Sequence, residues 1–229
     1  MVITTVLSFF TAPTSATYMR FYGYSLNATI FTYLVVLRQT YKAKPVSLVL
    51  SQYSSLIRDD NVQYIGLAIL LRLSASVPGP VIGGLYPFSI YALFHVLRYI
   101  ADLVPAVRPR VASVLALNDR AVYIAANAEL LLCTSFALPL VKMFLLLGIL
   151  RNPVYSIRQL VLIAGITVFL RFRYFQSKYT RTVVDGYDMR IAQLVCSPYA
   201  PNNAPYIYAA IKGVFTRALE PVRPALKKQ

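Results

Sequence analysis

Acid is scarce in this chain: eight Asp and Glu stand against twenty-three Lys and Arg in 229 residues, for a net charge of +15. Tryptophan is missing, histidine occurs once and cysteine twice. With His95 alone, no Gly-rich phosphate loop and no His-x-x-Glu-His run, the chain lacks the convergent polar groups that catalysis needs. A non-enzyme is expected, with no cofactor and no metal. Cys133, in an apolar run, and Cys196, near a proline, offer neither a disulfide framework nor metal-ligand spacing and read as small buried hydrophobes. Nothing resembles a zinc finger, an RNP strand or a basic DNA-reading helix, so nucleic acid is not the expected partner of the positive charge.

What is abundant is apolar. Hydrophobic residues make up 58% of the chain and charged ones 14%, against roughly 45–50% and 25% in ordinary soluble domains. The cations gather at the ends of apolar runs: Arg38, Lys42 and Lys44; Arg98, Arg108 and Arg110; Arg171, Arg173, Lys178 and Arg181. That is where juxtamembrane cations meet the headgroups of a lipid bilayer, anionic lipids above all. Eighteen tyrosines suit headgroup-level belts. Residues 1–10 are apolar but lack the charged start and small-residue cleavage site of a secretory signal, so they read as part of a membrane segment.

The spacing of charges and prolines predicts an all-α integral membrane protein: helical hairpins in the bilayer over 1–172, then a basic cytosolic tail with amphipathic helices over 173–229. Residues 62–71 and 73–97 are apolar stretches separated only by Arg72, and the Val77-Pro78-Gly79-Pro80 turn makes the region two helical arms with a tight bend between them. Arms of about 15–20 residues reach roughly 22–30 Å, so this hairpin is expected to be shallow or tilted. A second pair runs over 121–150 and 154–170 around Arg151-Asn152-Pro153, and a weaker one over the first ~37 residues, turning at 11–15. The connections 38–60 and 98–120 and everything after 171 are basic, which places them and both termini in the cytosol.

In the tail, Ile207, Ile211, Val214 and Phe215 fall on one side of a helix beginning near Pro205, with Lys212 and Arg217 on the other. Asn202 or Asn203 can cap it. These six residues are the expected membrane interface, and Tyr187, Ile191, Leu194 and Val195 form a shorter stripe before them. Glu129 and its neighbour Asn127 are the intramembrane polar residues. An acid there is costly and by default points to function, although a structural contact with Asn127 or a neighbouring helix is the favoured reading. The alternative is a small transporter or channel subunit using Glu129 and Lys142. Asp59-Asp60 reads as a helix N-cap, and the Asn27-Ala28-Thr29 sequon, in an apolar stretch expected to be buried, reads as unmodified.

Several motifs in order carry a resemblance: Phe21-Tyr22, then Leu37-Arg38-Gln39; Asp59-Asp60 through Tyr64; Leu93-Phe94-His95 leading to Tyr99. After these come Tyr123-Ile124-Ala125-Ala126-Asn127, and Phe169-Leu170-Arg171-Phe172-Arg173-Tyr174 with Ser177 and Thr180-Arg181. Over about residues 21–217 the chain resembles the transmembrane-protein-33 (Krüppel homologue 2) family, whose fungal members are pore-membrane proteins. It departs from that pattern where Ala128 separates Asn127 from Glu129, and in its shorter N-terminal segment. The resemblance implies a multi-pass protein of the endoplasmic reticulum and nuclear envelope. It would associate with reticulon-type membrane proteins and nuclear pore components, shape or scaffold membrane, and have a homo-oligomer open to it.

Overall fold

The computed structural model describes residues 15–42, 51, 56–75, 80–81, 83–135 and 152–219. The expected segments 1–10 and 11–14, the turn residues Val77, Pro78 and Gly79, and Lys142 and Arg151 lie outside them, as do the side chains of Val214, Phe215 and Arg217. Eight α-helices run among the described residues: α1 (Ala16–Tyr41), α2 (Asp60–Ser74), α3 (Tyr86–Leu103), α4 (Arg108–Leu115), α5 (Asn118–Thr134), α6 (Pro153–Gln176), α7 (Lys178–Val195) and α8 (Ala204–Leu219). Two compact units divide the chain, Met1–Thr180 and Arg181–Gln229. The division falls eight residues after the expected boundary at 172, inside α7.

Local chemistry sets the helix starts. The Ser15 hydroxyl accepts from the Tyr18 N–H at 3.0 Å and the Asn152 side chain from the Tyr155 N–H at 3.1 Å, the latter just ahead of Pro153. Asp59 caps α2 by accepting from the Asn61 N–H at 2.8 Å, as read from the sequence. In the second unit the Ile207 N–H reaches the Asn203 carbonyl at 3.1 Å, in the first turn of α8.

In the first unit, α1 lies antiparallel on α2. Tyr41 bonds Asp59 at one end, Tyr33 stacks on Tyr64 in the middle, and Asn27 accepts from Arg72 further along. α2 also lies antiparallel on α6, through Gln63 with Gln176 and Tyr64 with Phe169, and α3 and α6 both pack on α5. Of the two helices in the expected hairpin of 62–97, α2 packs along its length on α1 and α6, and its ring contacts with α3 centre on Tyr64, against Phe88 and Tyr91. Ala75, Val81 and Leu85 are themselves buried, and the Val81 N–H reaches the Tyr22 hydroxyl. Gly83, at φ +82°, supplies the left-handed residue that this path requires.

Two further expectations change. Cys196 is exposed. Asn27 is exposed as well, because the buried stripe of α1 runs through Tyr18, Tyr22, Ser25 and Thr29 at helical spacing and leaves position 27 off it; its amide oxygen is engaged by Arg72 at 3.0 Å.

Among the described residues α6 alone is a single helix long and apolar enough to cross a membrane. α3 and the segment Pro105–Leu115 pass the same test together, with a bend of 119° between them. At 1.5 Å per residue, the 24 residues of α6 extend about 36 Å, more than the roughly 30 Å of hydrocarbon.

Candidate functional site

Two helices of the first unit carry polar side chains inward and large apolar ones outward. On α6 the stripe Ser156, Gln159, Leu162, Ile166, Phe169 and Arg173 is buried, while Val154, Ile157, Val161 and Val168 are exposed. On α1, Ser25 and Thr29 are fully buried while Phe31, Leu34 and Val35 face outward. Water would reverse this arrangement, whereas a surround as apolar as the side chains themselves accepts it.

At the centre is Glu129, 1% exposed. The alanines of its own helix, Ala121, Ala125 and Ala128, are buried and small, which lets the neighbouring helices approach. The Tyr64 hydroxyl donates to Glu129 Oε1. Arg173 Nε and the Thr180 hydroxyl both reach Oε2 at 3.4 Å. Arg173, 5% exposed, carries three further contacts: Nη1 pairs with Asp60 at 3.1 Å, Nη2 donates to the Tyr91 hydroxyl at 3.5 Å, and the guanidinium lies 5.2 Å from the centroid of the Tyr64 ring. Around Tyr64 stand Tyr33, Phe88, Tyr91 and Phe169, at centroid distances of 5.3–5.9 Å. Side chains from α1, α2, α3, α5, α6 and the first turn of α7 thus meet at one buried charge. A planar five-donor fork serves such a junction where an ammonium would not.

The cluster redistributes the expected site residues. Arg173, expected among the headgroup-facing cations with Arg171, Lys178 and Arg181, is turned into the core, because it sits on the buried stripe four residues after Phe169 while Arg171 sits off it. Asn127 does not contact Glu129: it donates to its own helix, at the Tyr123 carbonyl, 2.8 Å away. The roles of Tyr64, Asp60 and Thr180 went unread in the sequence; a charge of each sign inside apolar stretches, Glu129 and Arg173, was the available signal. The transporter alternative needs Glu129 to address a conducting path. Here both of its oxygens are engaged by protein donors in an apolar surround, the geometry of a structural tie.

Around the cluster, one end of the unit is stitched by polar contacts. Tyr41 bonds Asp59 at 3.0 Å, Gln176 donates to the Arg58 carbonyl at 3.1 Å and accepts from Gln63 at 2.9 Å, and Tyr179 donates to Asp119 at 2.8 Å. These residues belong to, or border, the three basic connections 38–60, 98–120 and post-171.

In the second unit Ile207 and Ile211 are exposed, 58% and 51%. Lys212 is not left to solvent: its ammonium pairs with Asp188 at 2.6 Å, and the Tyr208 hydroxyl donates to the same carboxylate. The Lys212 and Tyr208 contacts hold the Asp188 carboxyl below its ordinary value. Because the folded value is the lower one, the tie contributes fully above the unfolded value of about 3.9 and is lost as pH falls through the folded value. An NMR titration of the Asp188 carboxyl carbon in the full chain should give a midpoint below about 3.9, and Lys212→Gln should raise it. An unshifted midpoint that ignores the substitution would mean that the clasp does not form.

An apolar exterior on α1 and α6, a charge pair enclosed in the core, and a helix long and apolar enough to cross a bilayer fit an integral membrane protein of the α-helical class. The family described as Transmembrane protein 33/Nucleoporin POM33 matches residues 1–221, and the chain belongs to that family. It is 30% identical over 188 residues to Tetra-spanning protein 1 of Schizosaccharomyces pombe, covering 75% of this chain and 63% of that relative, just under two thirds of its length. It is 26% identical over 207 residues to Nucleoporin POM33 of Chaetomium thermophilum, covering 83% of this chain and 71% of that protein. No solved structure matches it.

Proposed function

We propose that this chain is a non-catalytic, multi-pass scaffold of the endoplasmic reticulum and nuclear envelope that shapes membrane and associates with nuclear pore components and reticulon-type proteins. The observation that carries the topology is the stitched end of the first unit. The basic connections assigned to the cytosol by their charge are the ones whose flanking residues are tied together in space, as segments on one side of a bilayer must be. Pore association is supported by the nucleoporin name of one relative, and the reticulon association by the resemblance set out above. The tail supports a second contact with the bilayer: α8 exposes Ile207 and Ile211 in a region rich in cations, the pattern of a helix lying on anionic headgroups.

Tags at either terminus should be removed by protease added to sealed microsomes. A C-terminal tag that survives until detergent is added would overturn the arrangement. Affinity purification in mild detergent should bring down reticulon-type proteins or pore components, and recovery of neither would remove the scaffolding partners from the proposal.

A further inference from the structure

α3 ends abruptly. Pro105 has no N–H to continue the helix and holds Val104 in an extended conformation (φ −124°, ψ 90°), after which a 3-10 turn at Pro105–Val107 leads into α4 with Pro109 in its first turn. The two helix axes differ by 119°. A bend beyond a right angle turns the second helix back on the first, so the pair cannot serve as one straight crossing. The 18 residues of α3 make about 27 Å, close to the hydrocarbon thickness on their own.

α4 has the surface of a helix at an interface. Val107, Val111 and Leu115, four residues apart, are half-buried against the protein. Val114 and Leu117 lie together on a neighbouring side, 39% and 45% exposed, continuous in kind with exposed Leu103 and Val104 at the elbow. Ala112 and Ala116 lie across the helix from them. By helical spacing Arg110 stands on the same side as Val114 and Leu117 while Arg108 lies towards Ala112, Arg98 is five residues before Leu103 on α3, and among the described residues none of the three forms an ion pair. The stretch 98–120 holds four Arg and two Asp, and one of the two, Asp119, already accepts from Tyr179.

We propose that α4 is an interfacial helix docked on anionic phospholipid: Val114, Leu117, Leu103 and Val104 enter the acyl boundary, and Arg98, Arg108 and Arg110 hold lipid phosphates. Charge complementarity selects this occupant, since cations without an ion-pair partner among the described residues, next to exposed apolar side chains, match a negatively charged leaflet. The inference rests on α3 crossing the bilayer, a part of the proposed function, and is independent of the tail.

The test is spin-label accessibility on the full chain in nanodiscs, with Cys133→Ser and Cys196→Ser as background and single labels at positions 96, 112, 114, 116 and 117. Labels at 96, 114 and 117 should collide preferentially with oxygen, and labels at 112 and 116 with a water-soluble neutral nickel chelate. If 96 reads as lipid while 114 and 117 read as water, the interfacial helix is wrong and the crossing stands. If 96 itself reads as water, α3 does not cross and both readings fall. Oxygen preference at all four α4 positions would mean a buried re-entrant arm and would also overturn the proposal. Adding phosphatidylserine to the discs should shift 114 deeper, and Arg108→Gln with Arg110→Gln should abolish that shift. No shift in the parent chain, or one that survives both substitutions, would refute the phosphate contact.

Discussion

Arg173→Met should destabilise the first unit by about 3–5 kcal/mol, the usual result of removing one partner from a buried ion pair. The substitution leaves Glu129 enclosed with only the Tyr64 and Thr180 hydroxyls and removes the contacts to Asp60 and Tyr91 at once. Glu129→Leu alone should do less damage, because Arg173 keeps Asp60, which stands at the more exposed end of the network. The double variant should recover much of the loss, since an apolar pair of similar volume removes the desolvation of both charges. Thermal unfolding of the detergent-purified chain, followed by loss of the monodisperse peak in size exclusion, reads all three. Equal melting of Arg173→Met and the parent would show that the cluster does not hold these helices together.

The second large effect is expected in the tail. Replacing Ile207 and Ile211 by Asp should abolish liposome binding of an isolated 204–219 segment. Each buried apolar side chain contributes roughly 1.5–3 kcal/mol, so the pair amounts to about 10²–10⁴-fold in affinity. Lys212→Ala with Arg217→Ala should weaken binding far less, at about 1 kcal/mol for each cation near an anionic surface. Lys212 in the full chain should contribute less still, because Asp188 already holds its ammonium. In cells the Ile207→Asp, Ile211→Asp chain should stay in the membrane through its first unit and lose enrichment at curved or pore-adjacent membrane. A segment that ignores liposomes of every composition would show that α8 docks on protein instead.

Much of the helical plan was readable because it is written in one dimension. Apolar runs, proline punctuation and caps such as Asp59 and Asn152 act within a few residues of where they stand. Pairing between helices was not readable, because it depends on rotation about each helix axis. Arg171 and Arg173 look alike in a run of aromatics; only the phase set by Gln159, Leu162, Ile166 and Phe169 puts Arg173 on the buried stripe beside Glu129 and leaves Arg171 off it. The surroundings of the residues after Ala75 were unreadable for a related reason. Their prolines and glycines signal a bend, and nothing in that composition shows that Val81 and Leu85 are buried, with the Val81 N–H on the Tyr22 hydroxyl.

The separation of Glu129 from its guanidinium along the chain has a consequence in time. Arg173 follows Glu129 by 44 residues, so at about 5–20 residues per second the acid waits roughly 2–9 s for its counter-ion during synthesis. Through that interval only the Tyr64 hydroxyl, already made, is at hand to receive it. In the proposed multi-pass arrangement α5 would therefore settle only when α6 arrives. Completion of the fold is deferred to the last long apolar helix, and a ribosome that stalls between the two leaves an acid without a partner for quality control to find.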